Sequence, residues 1–241
     1  MLSHLGAAQE AAVGEVQSLP GARVLHTREL PLVWTFNQVH VTGPVAVADA
    51  VALADAHQGD LPYRHLVVDD DASGARLASA LGGAWTIERE VLLVLRGEPR
   101  TLAPGGSVVD VGEHDMLRLM RRWHRDEHPG MSADEYHRLE GRLTAERCFG
   151  AAGDDGRPAA LAKVRVGGDS GWVEDVYTAP EARRRGLARR VVTHACEYAR
   201  AGGAALVFLV ADAHDWPQHL YADIGFAPVG RRWLFHRHDA G

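Results

Sequence analysis

Between Glu181 and Arg190 the sequence reads EARRRGLARR, and five of those ten residues are arginine. An apolar, strand-like run ends just before it at Thr178, and Pro180 punctuates the break. Just after it Leu187, Val191, Ala195 and Tyr198 recur at helical spacing until Gly202-Gly203. Arg183 to Ala188 therefore spell R-x-x-G-x-A at the start of a helix, and this is the chemistry of an anion site. A helix start offers unpaired N–H groups and about half a positive charge, which suits phosphate oxygens. Gly186 removes a Cβ where backbone must come close to a pyrophosphate, and Ala188 keeps the next turn small. Arg183, Arg184 and Arg185 add guanidinium charge. The spacing is not that of a P-loop, because G-x-x-x-x-G-K-[ST] is absent. It is not a dinucleotide fingerprint either, because there is no leading G-x-G and no acidic ribose partner. The plain alternative is a solvated, arginine-rich helix start.

The elements that must position this segment are legible on both sides of it. Val108 to Val111 reads as a strand, and Glu113 to about Asp126 as a helix with Met116, Leu119, Met120 and Trp123 on one face. Ser132 with Glu135 forms a capping box that opens a helix to about Leu143. Cys148 to Ala152 and Ala160 to Val166 flank Asp155-Gly156 as a hairpin, and Trp172 to Thr178 is the next strand. Ala204 to Val210 is a short buried strand, Pro217 starts a helix that Gly225 ends, and Phe226 to His236 is a last strand pair or bent strand. The order from Val108 is β-α-α-β-β-β-α-β-α-β.

This order, together with R-x-x-G-x-A, resembles the GNAT N-acetyltransferases, whose pyrophosphate loop reads Q/R-x-x-G-x-G/A between a strand and a helix. The segment HLYADIGFAPVG is similar to that family's L-Y-x-x-x-G-F-x-x-x-G block through Leu220-Tyr221, Gly225-Phe226 and Gly230. The resemblance covers roughly Val108 to His238. It implies an α/β fold with a mixed central sheet and helices on both faces. It also implies acetyl-CoA (coenzyme A) as cofactor and an amine as acceptor, joined in a direct ternary complex. Val176, Tyr177 and Thr178 would lie along the pantetheine arm. Arg183, Arg184, Arg185, Gly186, Leu187, Ala188 and Arg189 would hold the pyrophosphate.

The same resemblance makes Tyr221 the candidate acid for the departing thiolate, against the plain role of a Tyr packed behind its helix. Glu174 is the candidate base, in a strand where some relatives carry a carboxylate. Strand alternation sends the neighbouring Asp175 to the opposite face. Two positions depart from the family pattern. His214 stands where relatives often have an Asn against the pantetheine, and Leu209 and its neighbours are apolar where some relatives place a Glu. His214 is therefore a candidate cofactor contact or alternative base, imidazole's ordinary pKa lying near neutrality, against the plain role of a loop histidine. A non-catalytic acyl-CoA-binding sensor is the rival reading. The stretch Trp123 to His128 sits where the family shapes its acceptor pocket, but nothing in it identifies the substrate.

Composition narrows the remaining classes. A net charge of −6 disfavours a nucleic-acid binder held by phosphate neutralisation. The cations are almost all arginine, Lys163 being the one lysine, a bias that genome base composition explains as readily as chemistry. Two cysteines, Cys148 and Cys196, are too few for a disulfide framework or a zinc site, so no metal is expected. No apolar run reaches the ~20 residues of a membrane span. No basic, then apolar, leader opens the chain, so the cytoplasm is the expected compartment. RGEPRTLAPGGS, Arg96 to Ser107, reads as a linker between residues 1–100 and 101–241. Before it, Val39–Val41 and Val45–Val47 read as strands, Val47–His57 as a helix, and Leu66–Val68 as a strand. Ala72–Leu81 then reads as a helix and Glu88–Leu95 as a strand. This smaller α/β module resembles a degenerate GNAT-like half, with an unrelated cap or dimerisation region as the alternative. The expected partners are acetyl-CoA and an amine, with no nucleic acid and no membrane; a homodimer is left open.

Overall fold

The computed structural model describes Glu10 and residues 13–100, 107–127, 133–140, 146–214 and 217–238. The first unit supplies β1 (Glu15–Leu19), β2 (Ala22–His26), β3 (Gln38–Val41), α1 (Val47–His57), β4 (Tyr63–Val68), α2 (Asp71–Ala80) and β5 (Thr86–Leu95). The second supplies β6 (Val108–Asp110), α3 (Glu113–Glu127), α4 (Ala133–Glu140), β7 (Glu146–Ala152), β8 (Pro158–Gly167) and β9 (Ser170–Thr178). It continues with α5 (Leu187–Ala201), β10 (Leu206–Asp212), α6 (Pro217–Ile224) and β11 (Phe226–His238).

The strands form one 11-stranded mixed sheet in the order β1-β2-β3-β4-β11-β5-β10-β9-β8-β7-β6. Two neighbours, β3/β4 and β10/β9, run parallel, and the rest are antiparallel. The two units interlock, because β11 lies between β4 and β5, and β5 lies between β11 and β10. The expected linker begins against the second unit. The N–H groups of Arg96 and Arg100 donate to the carbonyls of Gly225 and Ile224 at 2.9 and 2.8 Å.

Helices cover both faces of β8 and β9. Gly171 lies against α5, where an added Cβ would stand 2.6 Å from the Ala199 Cβ, so glycine there permits close packing of helix on sheet. On the opposite face Tyr177 stacks on Trp123 of α3, with ring centroids 6.2 Å apart. The larger core joins Leu119 and Met120 of α3 and Val191, Ala195 and Ala199 of α5 to Val164, Val173, Val207 and Leu209 of the sheet. A second core seats α1 and α2 on Val39, Val41, Leu66, Val68 and Phe235.

Three local readings change. Val45–Val47 is not a strand: Gly43-Pro44 breaks the chain after β3, Val47 opens α1, and the Val45 N–H donates to the Ser73 hydroxyl at 3.0 Å. The hairpin β1–β2 had no sequence reading, although Pro20-Gly21 marks its turn and Gly21 has φ 72°. The last segment is one strand, bent where the register slips between Pro228 and Gly230, since proline has no N–H for the ladder. Ser132 of the expected capping box lies outside the described residues. Glu135 accepts the N–H of Leu32 at 2.9 Å.

Where β4 and β11 pair, His65 stands opposite His236. Their Nδ1 atoms are 3.4 Å apart, and Trp34, Tyr63 and His238 crowd round them. Burial, with the Arg232 charge, pushes His65 down to about 3. Burial, with His65 and His238, pushes His236 down to about 3 as well. Both rings therefore fold neutral, whereas the unfolded chain protonates them near the ordinary value of ~6.5. Their contribution is complete above that value and is lost progressively as pH falls toward the folded value. At pH 5.5 each neutral ring lowers stability by about 1 kcal/mol relative to alkaline solution. Urea melts at pH 7.5 and 5.5 should show this loss in the wild type and a smaller one in His65→Leu; equal losses would contradict it.

Candidate active site

The parallel pairing of β10 with β9 extends over three positions, Leu206↔Ser170, Val207↔Gly171 and Phe208↔Trp172. Beyond them β9 runs on to Thr178 and β10 to Asp212, but the two no longer pair. From Phe208 to Asp212 the other edge of β10 is bonded to β5. A wedge therefore opens between β9 and β10, and one wall of it is the edge of β9 over residues 173–178, which β10 no longer pairs. Such an edge carries N–H and C=O groups that require partners.

A bulge shapes this wall. Leu161 of β8 pairs with Tyr177 and Lys163 with Glu174, so β9 holds one residue more than its neighbour. Asp175 takes a left-handed backbone, φ 49°. The extra residue reverses the alternation after Glu174, and this brings Tyr177 to the Trp123 face. It also overturns the expectation that Glu174 and Asp175 diverge. Glu174 pairs with Arg165, and Asp175 pairs with Lys163 at 3.0 Å. Lys163 and Arg165 are two apart on β8 and so share a face. Glu174, the candidate base, is thus committed to a guanidinium and little exposed.

At the end of β9 the chain turns through Pro180 into the arginine segment. Arg183 Nε donates to the Thr178 carbonyl at 3.1 Å and so ties the loop to the wall. Arg184 has φ 61° and Gly186 φ 74°. Among the described residues, Asp175 and Arg184 are the non-glycine positions with left-handed backbone, and both lie in this one segment. Such conformations cost of order 1–3 kcal/mol each and gather at functional sites. Gly186 is the N-cap of α5 and offers no side-chain cap, so the first-turn N–H groups of Leu187, Ala188 and Arg189 face outward without one.

The arginines divide their work. Arg185 pairs with Asp154, at 2.9 Å from Nη1, and Arg189 pairs with Asp223 at 3.0 Å. Arg122 of α3 makes a two-pronged bridge to Glu181, both bonds 2.7 Å long. That bridge lowers the Glu181 carboxyl and raises the Arg122 guanidinium. Arg184 is exposed and makes no ion pair among the described residues. Arg122, Asp154, Glu181 and Lys163 had no reading in the sequence. A two-pronged bridge between residues so far apart in the chain leaves no local pattern to find.

Tyr221 is buried on α6, with its ring edge-on to Phe226 at 6.1 Å. His214 is exposed just beyond β10, and its N–H donates to the Asp212 carboxylate at 2.6 Å. Val176 is half-buried and Tyr177 buried. The site residues Val176 to Arg189 are thus continuous along one wall and one helix start. Tyr221 and His214 stand on the elements that follow β10.

Residues 117–226 match the Acetyltransferase (GNAT) family. Streptothricin acetyltransferase of Streptomyces lavendulae is 35% identical to this chain over 97 residues, 38% of this chain and 50% of that protein. The chain thus spans about half the length of that relative. Among solved structures, a GCN5-related N-acetyltransferase from Kribbella flavida superposes with a TM-score of 0.71 at 18% identity, over 99% of this chain and 96% of its own. A tandem GNAT protein from the clavulanic acid biosynthesis pathway superposes with a TM-score of 0.55 at 14% identity, over 85% of this chain and 76% of its own. At such identities the likeness is one of fold. The mixed α/β sheet of this chain thus recurs over nearly the whole chain of the Kribbella structure, β1 to β5 included.

Gly186→Val should weaken coenzyme A binding about tenfold or more, because a β-branched residue resists φ 74° and blocks approach to the α5 start. Isothermal titration of the folded variant is the check. Unchanged affinity would mean that the phosphates bind elsewhere.

Proposed function

We propose that this protein transfers acetyl from acetyl-CoA to a primary amine of a small molecule or peptide in a direct ternary complex. The observation that carries the reading is the wedge between β9 and β10, which leads without a break to the uncapped, left-handed start of α5. Coenzyme A fits those features. Its pantetheine amides match the edge of β9 at Val176, Tyr177 and Thr178, past the last position paired with β10, as another strand would. Its pyrophosphate matches the N–H groups from Gly186 to Arg189 and the exposed Arg184.

The chain's own residues then have separate tasks. The amine nitrogen must be neutral to attack the thioester carbonyl carbon; the C–S bond breaks, and the sulfur needs a proton. Tyr221 is the group we assign to that proton. With Glu174 engaged by Arg165, His214 is the favoured base, being an imidazole exposed beside the wedge. We take residues 1–100 as a GNAT-like half and 101–241 as the acetyltransferase half. The likeness to streptothricin acetyltransferase supports an acceptor of the streptothricin kind. Among the described residues no helix is long and apolar enough to cross a membrane.

Acetyl-CoA at ~100 times its dissociation constant should raise stability by roughly 2.7 kcal/mol. No heat and no thermal shift at millimolar acetyl-CoA would refute the assignment. Tyr221→Phe keeps the ring and removes the hydroxyl, so affinity for acetyl-CoA should hold while turnover falls on the order of 10²- to 10⁴-fold. Steady-state release of coenzyme A across an amine panel measures this, and near-equal turnover removes Tyr221 from the mechanism. Binding without turnover of any amine would identify an acyl-CoA sensor instead.

A further inference from the structure

Residues 27–37 close on themselves as a loop with a core of its own. The Thr27 N–H donates to the Asn37 side-chain carbonyl at 2.7 Å, which ties the two ends together. The Asn37 side-chain amide donates to the carbonyls of Leu30 and Val33, each at 3.0 Å. Leu30, Val33 and Phe36 form a small cluster separate from the two larger cores. Compact loops packed by their own side chains in this way often carry function. Side chains seat the loop on the sheet. The Tyr63 hydroxyl donates to the Pro31 carbonyl and the Gln58 amide to the Asn37 carbonyl, both at 2.7 Å. Trp34 lies on the histidines, its ring centroid 3.9 Å from that of His236, 5.9 Å from His65 and 6.2 Å from His238. On its outer side the loop meets the second unit, where the Leu32 N–H donates to Glu135 of α4.

His65 and His236 are buried where Trp34 meets them, and among the described residues neither ring pairs with a carboxylate. The titratable groups around them are Tyr63 on β4, Arg232 and His238 on β11, Glu88 on β5 and His40 on β3. Glu90 engages Arg232, and Asp69 engages His40 at 2.8 Å. The loop's own charges, Arg28 and Glu29, are exposed, and Arg28 pairs with Asp60 at 3.3 Å. Arg232 opposes a positive charge on His65, and His65 and His238 oppose one on His236.

We propose that residues 27–37 are an acid-opened lid: protonation of His65 and His236 lifts the loop from β4 and β11 as a unit and frees α4 from Leu32. The device stands apart from the acetyl transfer proposed above. The lid gives way before the strands do, because side chains hold it, whereas β4 and β11 share a ladder from Tyr63↔His238 to Val68↔Trp233. Closed, burial holds each ring down at about 3; open to water, each returns to the ordinary ~6.5. The closed form is therefore favoured at high pH and loses ground as pH falls below ~6.5. From pH 7.5 to 5.5 the opening equilibrium should gain about 10-fold for one ring and about 100-fold for both.

Native-state hydrogen exchange in low urea measures this opening. Protection factors of the Leu32 and Val33 amides should fall about 10- to 100-fold from pH 7.5 to 5.5 and stay flat in urea, as a local opening requires. In His65→Leu/His236→Leu the fall should vanish. Should that double not fold, His65→Leu alone should cut the fall to about 10-fold or less. Lid protection that is level with pH in the wild type, or that falls as much in the variants, would overturn the lid. So would lid amides that share the urea dependence of the β8 amides, since the whole molecule would then be opening.

Discussion

Beyond Phe208 β10 no longer pairs with β9 and is held in the sheet by β5, on its other edge. A strand that parts from one neighbour keeps its place only through the other, because unpaired backbone groups in a core are expensive. The pairing with β5 runs from Phe208↔Val94 to Asp212↔Glu90 and so continues past the last β9 pair at Phe208. The wedge is therefore held open from its far side, by a strand that the first unit contributes. The same β5 pairs along β11 from Phe226 to His236, so the second unit cannot complete its own sheet without it. This constraint makes the first hundred residues part of the site's architecture even though the site residues assigned above lie in the second unit.

On the near side the wall is shaped by an ordering of charges. Arg165 with Glu174, Lys163 with Asp175, Arg122 with Glu181, Arg185 with Asp154 and Arg189 with Asp223 follow one another along β9, its turn and the start of α5. The first two pairs are shielded from water, and the loop pairs are more open. Exposed pairs contribute at most about 1 kcal/mol each. Their joint effect here is directional: they occupy the guanidinium groups on either side of Gly186 and fix the loop's path. In the function proposed above, phosphate recognition would then fall to the backbone N–H groups and Arg184. An arginine-rich segment that looks like a pool of positive charge is thus largely a set of ties.

Much of the second unit was legible before any coordinates. Its element order, the hairpin at Asp155-Gly156 and the helix beginning at Leu187 all rest on contacts within a few residues in sequence. The helix over Glu113–Glu127 was equally plain from Met116, Leu119, Met120 and Trp123. In the first unit the helices α1 and α2 were legible, while β1 and β2 were not, since five-residue strands have weak periodicity and depend on their partners. The directions of the Glu174 and Asp175 side chains were misjudged together. Alternation holds only while register holds, and one inserted residue inverts it.

The sequence by itself determined that a glycine-containing, arginine-rich turn joins a strand to a helix, and that Tyr221 and His214 follow the next strand. Those are local facts, written in spacing and in residue types that bond to their own neighbours. Tertiary structure decided where β9 and β10 part, which strand supports β10 after the parting, and that the single lysine meets Asp175. Each depends on a pairing between distant segments, and such pairings are chosen by how the whole sheet satisfies its backbone and buries its side chains. No window of sequence contains that choice.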